Sequence, residues 1–249
     1  MSLDVAFLFD IDGVVVNVPH EESWKTAAID WGLIKEGFDF KTFYQKNIAS
    51  IPGVIGAEII LEFFSYYEKE SITDKTRKTR VAREFRERKQ KCLEGYINSG
   101  KFELFEDLVS IIKYAKRDGI PQAAVSSSEN AKKILERLNL IHDFDSTTLG
   151  AIKHRALNKE SLYSFAFGRL CERLGFSDLP YPIVFEDADK GIVAAKKLGY
   201  LCVGIARRGL STEISLKEVG ADLVYNEQNI REKGYLGVLE DIRSKINFP

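Results

Sequence analysis

The sequence predicts an α/β fold: a parallel sheet alternating with helices, interrupted by one all-helical insertion. Three observations lead there. Short, wholly apolar runs recur along the chain, helix-patterned stretches separate them, and the residues from about Pro19 to Gly95 read as helix alone. Strand alternating with helix implies crossover units and a parallel sheet.

The first apolar run, Val5 to Asp10 (VAFLFD), stops abruptly at Asp-Ile-Asp-Gly. Continuous apolarity over so few residues suits a strand covered on both faces. Gln122 to Val125, Ile183 to Phe185 and Leu201 to Ile205 repeat the pattern, and Ala221 to Tyr225 reads as a further strand. Helical patterns fill the intervals at Leu104 to Arg117, Ala131 to Leu138, Leu162 to Leu174 and Gly191 to Leu198, with a closing helix from Tyr235 to Ile246. The helical insertion follows the first strand, as a cap domain would. The boundaries this gives are 1–17 with 97–249 for the core and 18–96 for the cap.

Composition excludes several classes of function. With 36 basic and 37 acidic residues in 249, the net charge of -1 gives no pull toward nucleic acid or an anionic membrane. Hydrophobic residues at 45% supply a sizeable core. No apolar stretch reaches the ~18 residues that span a bilayer, so no membrane partner is expected. Cys92, Cys171 and Cys202 form no C-x-x-C pair, which argues against a zinc site or a disulfide framework and suits a reducing cytoplasm. Lys75 to Lys91 is rich in lysine and arginine. A solvated helix face explains it best, a phosphate-attracting rim being the alternative. A monomer and a homodimer are equally compatible with the sequence.

The chemistry concentrates at strand ends. Asp10 and Asp12 stand two apart where the first run stops, so both carboxylates can face one crevice. In open α/β sheets ligands bind in that crevice, beyond the carboxyl ends of the strands. Gly13 lets the chain turn there. Glu186 and Asp187 form a second acidic pair after Ile183 to Phe185. Carboxylates converging on one crevice repel one another unless a cation lies among them, and oxygen donors without Cys or His point to Mg2+. Ser126 ends the run Ala123 to Val125 and could offer its hydroxyl and nearby N–H groups to a phosphate. Lys159, or alternatively Lys153, is the candidate lysine between the later strands.

Phe9-Asp10-Ile11-Asp12-Gly13-Val14, Val125-Ser126, Lys159, and Phe185-Glu186-Asp187-Ala188 with Gly191 resemble, in order, the four motifs of the haloacid-dehalogenase-like superfamily. The resemblance covers nearly the whole chain. It implies a Rossmann-like parallel-sheet core with a helical cap inserted between the first and second motifs. It also implies a phosphohydrolase in which Asp10 attacks phosphorus and Asp12 serves as acid and base. Ser126 and Lys159 would hold phosphoryl oxygens. Mg2+ would be bound by Asp10, the Asp12 carbonyl, Asp187 and Glu186, the last directly or through water. The lysine motif departs from the family's K-P-x-P-D-x-F, keeping Lys159 and Phe165.

Within the superfamily the chain is similar to the β-phosphoglucomutase-like group. His20 with Trp24-Lys25 resembles its H-x-x-x-W-K segment, Arg88-Lys89 a basic pair in its cap, and Ser126-Ser127-Ser128-Glu129-Asn130 its S-x-S-K-N segment. The likeness implies phosphate or substrate contacts by Gly13, Ser127, Asn130, His20 and Lys89. Two cations of the mutase pattern are missing, because Glu129 replaces a lysine and Gly56 stands where G-x-x-R has its arginine. Hydrolysis of a small phosphorylated metabolite, such as a sugar phosphate, is therefore expected ahead of mutase activity. A non-catalytic phosphate-binding protein is the reading from another class, and retention of both Asp10 and Asp12 argues against it.

Overall fold

The computed structural model describes residues 5–35, 37–49, 51, 53–150, 158–175, 180–207 and 211–246. Two compact units result, Met1–Asn17 with Glu103–Pro249, and Val18–Phe102. The chain starts the larger unit with β1 (Val5–Asp10) and β2 (Val16–Asn17). It then forms the helical unit from α1 (His20–Asp30), α2 (Phe40–Asn47), α3 (Gly53–Phe63), α4 (Tyr66–Lys69) and α5 (Lys75–Asn98). The larger unit resumes with β3 (Glu103–Leu104), α6 (Glu106–Arg117), β4 (Gln122–Ser126), α7 (Ala131–Arg137) and β5 (Ser146–Leu149). It continues through α8 (Lys159–Leu174), β6 (Tyr181–Glu186), α9 (Asp189–Lys197), β7 (Leu201–Ala206), α10 (Glu213–Glu218), β8 (Leu223–Asn226) and α11 (Glu227–Lys245).

Six strands form one sheet in the order β5-β4-β1-β6-β7-β8, every pairing parallel. This is a Rossmann-like α/β layer structure. β1 is central and buried at every residue, as its unbroken apolar run requires. On one face Ala6, Leu8 and Val184 pack with Leu162, Tyr163 and Leu170 of α8. On the other, Phe9 stacks on Phe185 at 4.4 Å. Strand order reverses about β1, where successive crossovers leave to opposite sides. That places the switch-point crevice at the carboxyl end of β1. Register brings Asp10 level with Val125 and Ser126 with Leu149, so Asp10, Ser126 and Glu186 all finish strands on the same edge of the sheet.

The helical unit has a separate core of Trp24, Phe40, Phe43, Ile60, Leu61 and Phe85. In α5 the residues Val81, Phe85, Lys89, Leu93 and Ile97 form a buried stripe at four-residue spacing. Around it the basic residues stand outward, as in the Arg80–Glu84 pair at 3.9 Å. No helix among the described residues is long and apolar enough to cross a membrane.

Some elements differ from the sequence expectation. β5 (STTL) carries no apolar run, because as an edge strand it pairs with β4 alone and leaves Thr147 half-exposed. β2 and β3, two residues each, pair antiparallel through Val16–Leu104 and Asn17–Glu103. The last helix starts at Glu227, not Tyr235, behind a capping box of Asn226 with Asn229, and breaks at Gly234 (φ 60°). Helix α5 runs to Asn98, past the 96/97 boundary drawn from sequence.

Candidate active site

Each side chain of the site is placed by the end of an element. Asp10 ends β1 and Glu186 ends β6, while Asp187 follows at once. Helix α8 opens at Lys159 because Asn158 caps it, its side chain accepting from the Ser161 amide in a capping box. Lys159 is thus the first helical residue and not a residue ahead of the helix. Its Nζ lies 2.7 Å from Asp10 Oδ1 and 3.1 Å from Glu186 Oε2. Lys153, the alternative, lies outside the described residues.

Asp10, Glu186 and Asp187 present carboxylate oxygens within 4.8 Å of one another. Glu186 is fully buried and well supplied with donors. Tyr163 O–H and Lys159 donate to Oε2, and the Ala188 amide donates to Oε1 at 3.2 Å. Gly191 leaves the room this needs, since a Cβ there would fall 2.1 Å from Glu186 Cδ. Gly13, at φ +90°, does the same for Asp187: its missing Cβ would lie 2.0 Å from Oδ2.

Burial pushes the Asp10 carboxyl up to about 7, with Glu186 adding to the effect and Lys159 opposing it. Asp187 is raised well above the carboxylate range by burial and by its neighbours Glu186 and Asp10. Burial opposes the charge on Lys159, but Asp10 and Glu186 outweigh it and keep the ammonium protonated. Three crowded carboxyls face one ammonium, and the raised Asp10 and Asp187 groups mean that full ionisation of the cluster calls for a further cation. The donors are all oxygens, so the residues present fit a hard divalent cation such as Mg2+.

Asp12 is half-buried in the turn after β1, where it bridges to Val16. Its carboxylate is outside the three-residue cluster, which leaves its backbone carbonyl as the ligand the resemblance implies. Ser126 is buried, and its Oγ accepts from the Ser128 amide at 3.1 Å. Ser127 is exposed, and Asn130 is buried at the start of α7. His20 and Lys89 belong to the helical unit and meet each other there, Lys89 Nζ lying 2.9 Å from His20 Nδ1 and 5.5 Å from the centre of the Trp24 ring.

Residues 5–199 match the sequence profile of the haloacid dehalogenase-like hydrolases. The chain belongs to that family. It is accordingly an enzyme of the phosphohydrolase type. Among solved structures it is similar to the archaeal β-phosphoglucomutase of the hyper-thermophilic Pyrococcus sp. strain ST 04, at 28% identity and TM-score 0.77, over 96% of this chain and 99% of that one. The β-phosphoglucomutase of Clostridium difficile shares the fold at 22% identity and TM-score 0.69, over 98% and 99% of the two chains. So does a Clostridium acetobutylicum protein described as a predicted phosphatase, at 19% identity and TM-score 0.63, over 96% and 100%.

Sequence reasoning missed Tyr163 and Arg207. Tyr163 stands one helical turn after Lys159 and therefore shares its face, a signal the i,i+4 rule could have supplied. Arg207 directly follows β7, the same strand-end position that drew attention to Asp10.

Proposed function

We propose that this chain is a magnesium-dependent phosphatase of a small phosphorylated metabolite, a sugar phosphate or similar ester, working through an aspartyl-phosphate on Asp10. The supporting observation is the Asp10 carboxylate, buried at the switch point with the Lys159 ammonium at 2.7 Å and a second aspartate two residues on. In the first step an Asp10 oxygen attacks phosphorus while the ester P–O bond breaks. Asp12 gives its proton to the departing oxygen. In the second step Asp12 takes a proton from water as that water attacks phosphorus, and the bond to Asp10 breaks to release phosphate. Lys159 and Ser126 hold phosphoryl oxygens and offset charge that builds in the transition state. Mg2+ held by Asp10, the Asp12 carbonyl, Asp187 and Glu186, directly or through water, would screen the carboxylates from the incoming phosphate.

Release of p-nitrophenolate from p-nitrophenyl phosphate, measured with magnesium and after chelation, tests this. Turnover that requires magnesium is expected, and equal rates in both conditions would reject it.

Mutase activity is the second reading, favoured by the 28% identity to the archaeal β-phosphoglucomutase. Three features of this chain weigh against it. Glu129 is exposed and carries the wrong sign for a phosphate contact. Gly56 is buried, with Ile48 and Trp24 at 3.5 and 3.6 Å from where a Cβ would point, so an arginine there would enter the helical core. Arg88 is engaged by Asp30, its Nε donating at 2.8 Å. Following glucose 6-phosphate formation and phosphate release together from β-glucose 1-phosphate with a bisphosphate primer separates the readings. Phosphate should dominate, and efficient isomerisation with little phosphate would favour the mutase.

A further inference from the structure

We infer that Arg207 and Asp107 form a buried clamp that positions the Asp12 turn, making Arg207 a positioning residue for the acid–base step. The inference rests on the phosphatase reading above. Arg207 leaves the end of β7 and is 4% exposed. Its Nη1 donates to Asp107 Oδ2 at 2.7 Å and its Nη2 to Asp107 Oδ1 at 3.0 Å, a bidentate pair at the start of α6. The same Nη2 also donates to the Val14 carbonyl at 3.1 Å. The guanidinium carbon lies 3.9 Å from the centre of the Phe105 ring.

Val14 is two residues after Asp12, inside the turn that follows β1. Val15 and Val16 amides donate to Ile11 O at 2.9 and 3.0 Å, and the Gly13 amide donates to Val16 O at 2.7 Å. These bonds close the turn on itself. Its far side is tied to the rest of the unit by Arg207 at Val14 O, by the Phe105 amide at Val15 O, 3.0 Å, and by the β2–β3 pairing that begins at Val16. A buried ion pair is a poor stabiliser, because an apolar pair of similar volume commonly serves as well or better. Stability alone is therefore a weak reason for Arg207 and Asp107. An apolar pair cannot, however, hold the Val14 carbonyl, and through that contact the clamp acts on the turn that carries Asp12. In the first step Asp12 must pass a proton to the ester oxygen as the P–O bond breaks. A turn free to shift would misalign this transfer while leaving Asp10 in place on β1.

The test is the double variant Arg207→Met/Asp107→Leu, which removes the clamp without stranding a buried charge. Two readouts are taken on protein whose melting temperature confirms folding. The first is amide hydrogen exchange: Gly13, Val15 and Val16 should exchange about 10-fold faster or more, with Ala123 to Val125 unchanged. The second compares substrates with magnesium present. An alkyl phosphate needs its leaving oxygen protonated, whereas p-nitrophenolate leaves with little help. The kcat/KM for the alkyl ester should fall at least about 10-fold further than that for p-nitrophenyl phosphate. A purely structural role would lower both equally. Unchanged exchange at the three turn amides, or an equal loss on both esters, would overturn the clamp. If the unmodified protein hydrolyses neither ester, the phosphatase reading falls, while the exchange readout still decides whether Arg207 holds the turn.

Discussion

Replacing Gly13 by alanine should disable metal binding far more than it destabilises the protein. Gly13 sits at φ +90°, and an added Cβ would lie 2.0 Å from Asp187 Oδ2, 2.3 Å from Cγ and 2.6 Å from Oδ1. Real Cβ contacts keep at least 3.0 Å, so the Asp187 carboxylate must retreat by about 1 Å or the turn must move away from it. Left-handed backbone costs a non-glycine residue roughly 1–2 kcal/mol. For a chain of this size that lowers the melting temperature by about 2–8 °C, leaving a folded protein. A divalent ligand shell tolerates far less than 1 Å, and displacements of that order cost about 100-fold in rate. The assay is magnesium titration of p-nitrophenyl phosphate hydrolysis. Half-saturation should rise by about 10–100-fold, with kcat/KM at fixed magnesium falling about 100-fold. A folded Gly13→Ala protein with wild-type half-saturation and rate would refute the reasoning, because Asp187 would then be no part of the metal site.

Three further outcomes are expected. Asp187→Asn should lose activity that high magnesium partly restores, and an unaltered half-saturation would remove Asp187 from the ligand set. Tyr163→Phe deletes one of three donors to the buried Glu186 carboxylate, a bond to a charged group worth about 1.5–3 kcal/mol; calorimetry should find a melting temperature lower by roughly 3–12 °C, and no change would mean that Glu186 is not held there. In chelator, stability should fall as pH rises. Burial first, and Glu186 next, raise Asp10 from 3.8 to about 7, so the folded protein holds this proton more tightly than the unfolded chain. Its contribution is full below about pH 4 and lost as pH passes about 7, and Asp187 acts in the same direction. Melting temperatures of chelated wild type should drop across that interval and those of Asp10→Asn less steeply; parallel curves would contradict the cause assigned.

The central part of this fold and site is legible in sequence because burial on both faces writes an unbroken apolar run. VAFLFD could hardly be anything but a central strand, and the residues that end such runs, Asp10 and Ser126, lie at the carboxyl edge of the sheet. Glu186 directly follows its apolar run in the sequence and is the last residue of β6. Edges are less readable. β5 is covered by one neighbour and needs no apolar run, so Ser-Thr-Thr-Leu passes for a loop. Gly234 hides the first half of α11 by splitting one helix into two patterns. Least readable are side-chain pairs distant in sequence. Arg207 and Asp107 stand 100 residues apart, and neither composition nor period links them. Only the folded sheet, which carries β7 toward the start of α6, brings them together.

The covalent step on Asp10 is the centre of this account, and rapid acid quenching during turnover tests it most directly. Intact-mass analysis of the quenched wild-type protein should find a fraction heavier by one phosphoryl group. The label should be released by hydroxylamine, map to the peptide that contains Asp10, and be absent from a folded Asp10→Asn protein that no longer turns over. Steady hydrolysis by an Asp10→Asn protein, or a phosphoryl group carried on any other residue, would contradict it.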